Sequence, residues 1–178
     1  MLLYHVCFNQ EVTEIVVHAF VTSKLDLYNI LLCGIPNTSL CKLQKIQNSA
    51  ARLIFMANKY DHITPLLKSL HWLPIKYRIQ FKILLFTYKA VNKLAPKYIC
   101  DLLAPYNPPR QLRSTSQLKL QEVRTRTKMG ERAFSVSAPK LWNTLPMYIK
   151  TVDSLEMFKI RLKSYLFNMF AKAPMNSL

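Results

Sequence analysis

The acidic side chains are the first candidates for catalysis, because a two-metal polymerase or nuclease needs clustered carboxylates that hold cations about 4 Å apart. The sequence contains no Asp-Asp pair, and Asp26, Asp61 and Asp101 stand singly. We expect a helix-surface role for Asp26 and a loop or cap role for Asp61. With two glycines, the chain also lacks a P-loop and a G-x-G-x-x-G motif. The sequence therefore predicts no catalytic residue, no metal site and no cofactor.

Two histidines could supply ligands or acid–base groups if Asp61 or Cys100 lay beside them. No local motif places a nucleophile next to His62 or His71, so structural roles are favoured for both. His71 precedes Trp72 at a predicted helix break, where a ring nitrogen could bond a free backbone carbonyl. An enzyme built on these residues is the least favoured interpretation.

The cysteines indicate a reducing, intracellular compartment, with nuclear or cytoplasmic location left open. None forms a C-x-x-C pair or partners a histidine at zinc-ligand spacing, so no disulfide is expected. The first residues lack the pattern of a signal peptide, and no apolar run approaches the roughly 20 residues of a membrane helix. The four cysteines are Cys7, Cys33, Cys41 and Cys100.

The basic side chains carry the strongest functional signal. The chain has 25 Lys+Arg against 9 Asp+Glu, a net charge of +16, and an excess of this size favours a polyanionic partner such as nucleic acid. The alternative is that these residues keep a fragment with 51% hydrophobic residues in solution. Between residues 110 and 132, seven basic residues and two acidic residues leave a charge of +5.

These residues must be positioned by helices, because long stretches without glycine favour helix over sheet. Apolar spacing predicts a first helix over 11–32, capped by the Asn9 side chain and ended by Gly34 in a left-handed conformation. A second helix should follow at once, capped by Thr38 or Ser39, and pack on the first as a hairpin.

The middle of the chain predicts a short helix and then a long central one. Thr64 as N-cap before Pro65 signals the start of the short helix. Pro74 opens a helix reaching about residue 92, which is apolar over so much of its surface that it should be central. Pro96 starts another short helix.

The C-terminal third is predicted to be a small basic α+β segment, 117–178, separated from a helical bundle, 1–104, by a proline-rich linker, 105–116. Alternating residues predict a small β-hairpin around Met129-Gly130, and an irregular basic loop is an equal alternative for 117–137. A helical turn is expected at 138–143 and a last helix after Asp153 as N-cap. The fold class is mainly α.

Five blocks, in order, resemble the thumb and C-terminal region of non-LTR (LINE-type, jockey-like) retrotransposon reverse transcriptases. The most specific is DHITPLLKSLHWLPIKYRIQFKILLFTYKAVNKLAPKYICDLL, residues 61–103. The others are HAFVTSKLDLYNILLCGIP, LCKLQKIQNSAARLIF, GERAFSVSAPKLWNTLP and SLEMFKIRLKSYLF. Together they cover about residues 10–167.

The resemblance implies an origin and not an activity. In that family the palm precedes this region and carries an aromatic-Ala-Asp-Asp-type motif, which has no match here, and neither an endonuclease nor a zinc knuckle is matched. We therefore expect a truncated or domesticated element without polymerase activity, or an inert remnant.

In the intact enzymes the thumb holds an RNA–DNA duplex, and basic side chains meet its phosphates without reading sequence. The resemblance thus implies nucleic acid as partner, with a missing palm as a second one. No membrane partner is expected, because no apolar run has the length of a membrane helix. The candidate phosphate-binding residues are Lys42, Lys45, Arg52, Arg110, Arg113, Arg124, Arg126, Lys128 and Arg132.

Overall fold

The computed structural model describes residues 9–27, 29–107 and 118–172. Within these ranges the chain is built of helices joined by irregular segments and contains no β-strand, which confirms the mainly α class. The helices are α1 Gln10–Val17, α2 Ser23–Asp26, α3 Asn37–Phe55, α4 Ile63–Ser69, α5 Ile75–Val91, α6 Lys97–Cys100, α7 Phe134–Thr144, α8 Met147–Lys150 and α9 Leu155–Lys172. A π turn, His18–Thr22, joins α1 to α2, and 3-10 turns occupy Asn29–Leu32 and Gly130–Arg132.

The first helix ends earlier than predicted. The helical path stops at Asp26, and Leu27 is extended before the 3-10 turn. The turn is fixed by Asn29, which is buried and donates from Nδ2 to Asp26 Oδ1 at 3.0 Å. This side-chain bond replaces helical backbone bonds, so the prediction of one helix through residue 32 was wrong at its end.

Three predicted side-chain caps are not formed, and two of the observed N-caps precede the predicted residues by two or three positions. Asn9 is the N-cap of α1, but its side chain accepts no capping bond. Pro36 precedes α3 and His62 precedes α4, where hydroxyl caps were expected. Gly34 has the predicted left-handed conformation, with φ 68°, but it follows the 3-10 turn Asn29–Leu32 and does not end the first helix.

The helix α5 is the centre of the molecule, as predicted from its wide apolar surface. It packs against α3, α7 and α9, and its residues contribute to two buried clusters. One side holds Ile79 and Ile83 against Ala138 of α7. On the other, the ring of Tyr88 stacks on that of Phe158 of α9 at 4.1 Å between centroids. These contacts cross the predicted linker, of which residues 108–116 lie outside the described ranges.

A buried pair of glutamines fixes α3 to the start of α5. Gln47 donates from Nε2 to the carbonyl of Leu73 at 2.9 Å, and Gln44 Oε1 accepts from the backbone N–H of Ile75 at 2.9 Å. Gln44 Nε2 also donates to Gln47 Oε1 at 3.0 Å. The first amides of a helix have no partner within the helix, so Gln44 supplies one that no residue of α5 could. The orientation of α3 on the core is set by these bonds.

The segment before α7 is irregular and the predicted hairpin is not formed. Among described residues, pairing is limited to an isolated bridge between Pro105 and Leu120. The residues Phe134 and Val136, whose alternation suggested a strand, lie in the first turn of α7. A spacing of two over so short a stretch does not distinguish a strand from a helix. The irregular alternative, made for 117–137, is confirmed for the described residues 118–129, whereas 130–132 form a 3-10 turn and 134–137 belong to α7.

Candidate nucleic-acid interface

One face of α3 carries three of the predicted phosphate-binding side chains. Lys42, Lys45 and Arg52 lie within about 80° of arc on the helix, together with Ser49. Both lysines are exposed, because the glutamine pair turns the opposite face of α3 toward α5. We call Lys42, Lys45, Ser49 and Arg52 the α3 face. It presents cations on a rigid element, which suits contact with successive phosphates.

Arg52 differs from the two lysines because it also stabilises a loop. Its Nη2 donates to the carbonyl of Asp61 at 3.2 Å, while the Asp61 carboxylate accepts from the backbone N–H of Asn58 at 2.7 Å. Part of the Arg52 guanidinium is therefore occupied in closing the turn between α3 and α4. This leaves fewer of its donors for a phosphate.

A second basic region is the irregular segment 118–129, which we call the basic loop. Part of its backbone is held by one asparagine of α7: Asn143 Oδ1 accepts from the N–H of Leu120 at 2.9 Å, and Asn143 Nδ2 donates to the Leu120 carbonyl at 3.0 Å. The same amide pairs with both backbone groups, as a neighbouring strand would. The adjoining groups bond to residues 104–106, since the N–H of Tyr106 donates to the Lys119 carbonyl and the N–H of Gln121 donates to the Ala104 carbonyl, both at 2.9 Å. Trp142 Nε1 adds a bond to the Leu118 carbonyl at 2.9 Å. These two adjacent residues of α7 thus help to order a loop that has no regular structure.

The predicted cations of the basic loop reach solvent, whereas Arg132 packs inward. Arg124, Arg126 and Lys128 are exposed. The stem of Arg132 covers Gly34 so closely that a Cβ atom at Gly34 would lie 2.8 Å from the Arg132 Cγ. Arg132 Nε is buried and has no hydrogen-bond partner among the described residues. This contact brings the end of the basic region against the turn that precedes α3.

The basic loop and α7 border an open groove of about 680 Å³. Three cations line it, Lys119, Arg124 and Lys140, together with the acids Glu122 and Glu131. Glu122 is engaged, because its Oε1 accepts from Asn143 Nδ2 at 2.8 Å. Of these three cations, Arg124 alone was predicted from the sequence to bind phosphate. Lys140 could have been predicted as a further cation, because it follows Pro139 in a segment that the sequence predicted to be a helical turn.

Lys150, a buried lysine of α8, lies close enough to Lys119 of the basic loop for the two positive charges to repel each other. Lys150 is 6% exposed and lies 5.9 Å from the centroid of the Trp142 ring. Burial lowers the pKa of Lys150 from its ordinary 10.5, and the positive charge of Lys119 lowers it further. An anion bound near Lys119 would relieve part of that repulsion. The pattern of basic residues in the sequence did not indicate that Lys119 and Lys150 lie close together.

The remaining candidates are divided between the described ranges and the rest of the chain. Arg110 and Arg113 lie outside the described residues, as does Cys7. His62 is exposed in the loop before α4. His71 is exposed and has φ 52°, and its ring lies 6.2 Å from that of Phe167. Over the described ranges, no three His, Cys, Asp or Glu side chains lie close enough to hold a metal ion.

Comparison with known proteins adds no family. No protein-family model matches the chain, and no curated protein or solved structure matches it either. In the described parts of the chain, every helix is too short or too polar to cross a lipid bilayer.

Proposed function

We propose that this chain binds the sugar–phosphate backbone of nucleic acid, without base specificity and without polymerase activity of its own. The observation that supports this most is the shortage of carboxylates near its cations. Among described residues, the ion pairs that involve Lys or Arg are Arg78–Asp26 at 2.9 Å and Lys159–Glu156 at 2.8 Å. Against a net charge of +16, such pairing leaves a strongly positive surface, which attracts a polyanion.

The α3 face and the basic loop are the surfaces proposed to meet the phosphates. Lys42 and Lys45 are exposed on α3, and Arg124 lines an open groove of about 680 Å³. Because contacts from cations to phosphates carry no sequence information, recognition of the backbone alone is expected. The resemblance to the thumb of non-LTR reverse transcriptases agrees with this function and suggests that an RNA–DNA duplex is the ligand.

Salt dependence tests the proposal directly. Filter binding of an RNA–DNA hybrid and of two DNA duplexes with different sequences would be measured at 50 and 200 mM salt. If about four phosphates are contacted, this rise in salt should weaken binding by about 100-fold for every duplex. Affinity that ignores salt, or that differs more than tenfold between the two DNA sequences, would contradict backbone binding.

Charge-reversal variants locate the interface. The double variant Lys42→Glu/Lys45→Glu should lower affinity at least tenfold, since it places two carboxylates on the α3 face. Lys97→Glu/Lys172→Glu is the matched control, with the same net charge and both changes at exposed positions on α6 and α9 and not on α3. Equal losses in the two double variants would show that overall charge, and not the α3 face, determines binding.

The absence of polymerase activity has its own test. Purified protein should not extend a primed template in the presence of nucleotides and Mg²⁺. Extension above background that is lost in Asp61→Ala would overturn this part of the proposal.

An inert remnant of a longer protein is the second candidate, and one observation favours it. The α1 helix and the π turn expose an apolar stripe that includes Ile15 at 68% and Phe20 at 73%. A stripe of this kind is typical of a surface that has lost its partner. Aggregation in gel filtration, with a broad non-cooperative melt and no salt-sensitive binding, would favour this candidate over nucleic-acid binding.

A further inference from the structure

A second concavity lies on another part of the molecule, and it is built differently from the groove of the basic loop. This cleft of about 500 Å³ lies where the π turn, the turn between α4 and α5, and α9 meet. We call it the π-helix cleft. Its volume is within the range of small-molecule sites, and π turns occur often at functional sites. Its lining combines apolar side chains, cations and hydrogen-bonding groups, including Trp72, Phe81, Arg78, Lys82, Lys163 and Asn29.

The charge of the cleft favours an anion. Three cations, Arg78, Lys82 and Lys163, face one carboxylate, Asp26, which leaves two positive charges in excess when the histidines are neutral. Asp26 is already engaged, since its Oδ1 accepts from Arg78 Nη1 at 2.9 Å. Arg78 is further held by its Nε bond to the Leu73 carbonyl at 3.1 Å. The two lysines, which come from α5 and α9, form no ion pair with any described residue.

Asn29, which lines this cleft, has a buried acceptor atom that lacks a hydrogen-bond donor among the described residues. Asn29 is 3% exposed, and its Nδ2 is used by Asp26. Its Oδ1 is buried without a partner among the described residues. An unpaired buried acceptor is costly, and such atoms in a cleft are commonly satisfied by water or by a ligand. The ligand that fits therefore carries both an anionic group and an N–H donor.

The aromatic lining narrows the ligand class. The ring of His18 meets that of Trp72 edge-on at 5.6 Å, and the Arg78 guanidinium lies 5.8 Å from the Trp72 centroid. Aromatic and guanidinium groups with nearby lysines are the surroundings that unpaired nucleotides favour. We propose that the π-helix cleft binds one nucleotide, with its phosphate at Lys82 and Lys163 and an N–H of its base at Asn29. This inference uses none of the residues of the α3 face and does not rest on the proposed function.

Tryptophan fluorescence of the full chain tests the site, because Trp72, although 4% exposed, lines the cleft, whereas Trp142 lies in a different buried cluster. Titration with AMP and with tetra-adenylate should change the emission, and the probe that binds more tightly identifies a free nucleotide or a single strand as the source. Lys82→Gln/Lys163→Gln should weaken the tighter probe at least tenfold, since two charge-assisted contacts are lost. Lys76→Gln/Lys172→Gln is the control, with the same helices and net charge but exposed lysines outside the cleft; it should stay within twofold.

A change in the ligand tests the site without any variant of the protein. Purine riboside 5′-monophosphate lacks the exocyclic amino group of AMP and should bind three- to tenfold more weakly, because Asn29 Oδ1 stays unpaired. Equal affinity for inorganic phosphate and AMP would overturn the proposal of a nucleotide site. So would equal losses in the two double-lysine variants, whether or not duplex binding by the α3 face is found.

Discussion

The α3 face and the basic loop both carry exposed cations, but the backbone of the first is a regular helix and that of the second is irregular. In α3 the backbone satisfies itself, and buried glutamines only orient the helix on α5. The basic loop has no regular structure, and the start of its backbone is held by Trp142 and Asn143 of α7 and by two backbone bonds to residues 104–106. Cations on the first surface are thus positioned by a helix, and those on the second by a few bonds from side chains and from a neighbouring segment. Changes in those side chains should therefore separate the two surfaces.

The largest expected effect comes from Trp142, which joins the basic loop to the main core. Its ring is 1% exposed and packs in the cluster with Tyr88 and Phe158. Trp142→Ala should lower the free energy of unfolding by about 3–5 kcal/mol, because a large cavity forms and the Leu118 carbonyl loses its donor. Urea denaturation followed by circular dichroism measures the loss. Tyr148→Ala, at a 55% exposed position on α8, is the control and should change stability by about 0.5 kcal/mol or less.

The glutamine pair should contribute nearly as much to the free energy of unfolding, because it fixes α3 to the start of α5. Gln47 is 1% exposed, and Gln47→Ala leaves the Leu73 carbonyl with one donor fewer and opens a cavity. We expect a loss of about 2–4 kcal/mol in the free energy of unfolding. Ser49→Ala, on the exposed face of the same helix, should stay within about 0.5 kcal/mol. A loss below about 1 kcal/mol for Gln47→Ala would mean that α3 is held mainly by its apolar contacts.

The two surfaces also differ in how much of their structure could be predicted from the sequence. The positions of α3 and α5 follow from apolar spacing and from Gly34 and Pro74, which act locally. The bonds that orient α3 join residues 26 to 31 positions apart, as in Gln47 with Leu73, and no local pattern reports them. The basic loop is harder still, because Asn143 and Leu120 are 23 positions apart. Alternation in the loop suggested a hairpin, because local spacing cannot show that Leu120 lies between the amide of Asn143 and the backbone of residues 104–106.

The same limit applies to the candidate sites. Net charge and the basic clusters could be counted from the sequence, and so could the exposed lysines on α3. The π-helix cleft could not, because Asn29, Lys82 and Lys163 come together only after the helices pack. The spacing of Arg78 and Lys82 by four residues on α5 was the one local sign that two cations share a face.

Loosening the basic loop without disturbing the core is the next test. Asn143→Ala removes both bonds to Leu120 and should lower the free energy of unfolding by about 1–2 kcal/mol. Amide hydrogen exchange should rise at Leu120, whose N–H loses its acceptor, and stay unchanged at Ile75 in the α3–α5 contact. The informative comparison is with Thr144→Ala, whose exposed hydroxyl bonds within α7. If exchange rises equally in both variants, Asn143 does not hold the loop.

The smallest expected effect concerns a second irregular segment that is fixed by an aromatic donor. The Tyr88 hydroxyl donates to the Val152 carbonyl at 2.6 Å, as Trp142 donates to Leu118. Burial raises the pKa of Tyr88 above its ordinary 10.0, and the negative charge of Asp153 raises it further. Tyr88→Phe should cost about 1 kcal/mol near pH 8, where the hydroxyl is protonated in both folded and unfolded chains.

The pH dependence separates this bond from simple packing. Since the folded pKa lies above the unfolded one, the contribution of Tyr88 is complete below pH 10 and declines as pH rises through the folded pKa. The difference in unfolding free energy between the natural chain and Tyr88→Phe should therefore shrink above pH 10. Lys150, whose lowered pKa has the opposite effect on stability, is present in both chains and cancels in the difference. Urea titrations at pH 8, 9.5 and 10.5 measure this change, and a difference that stays constant across them would show that the hydroxyl titrates alike in both states.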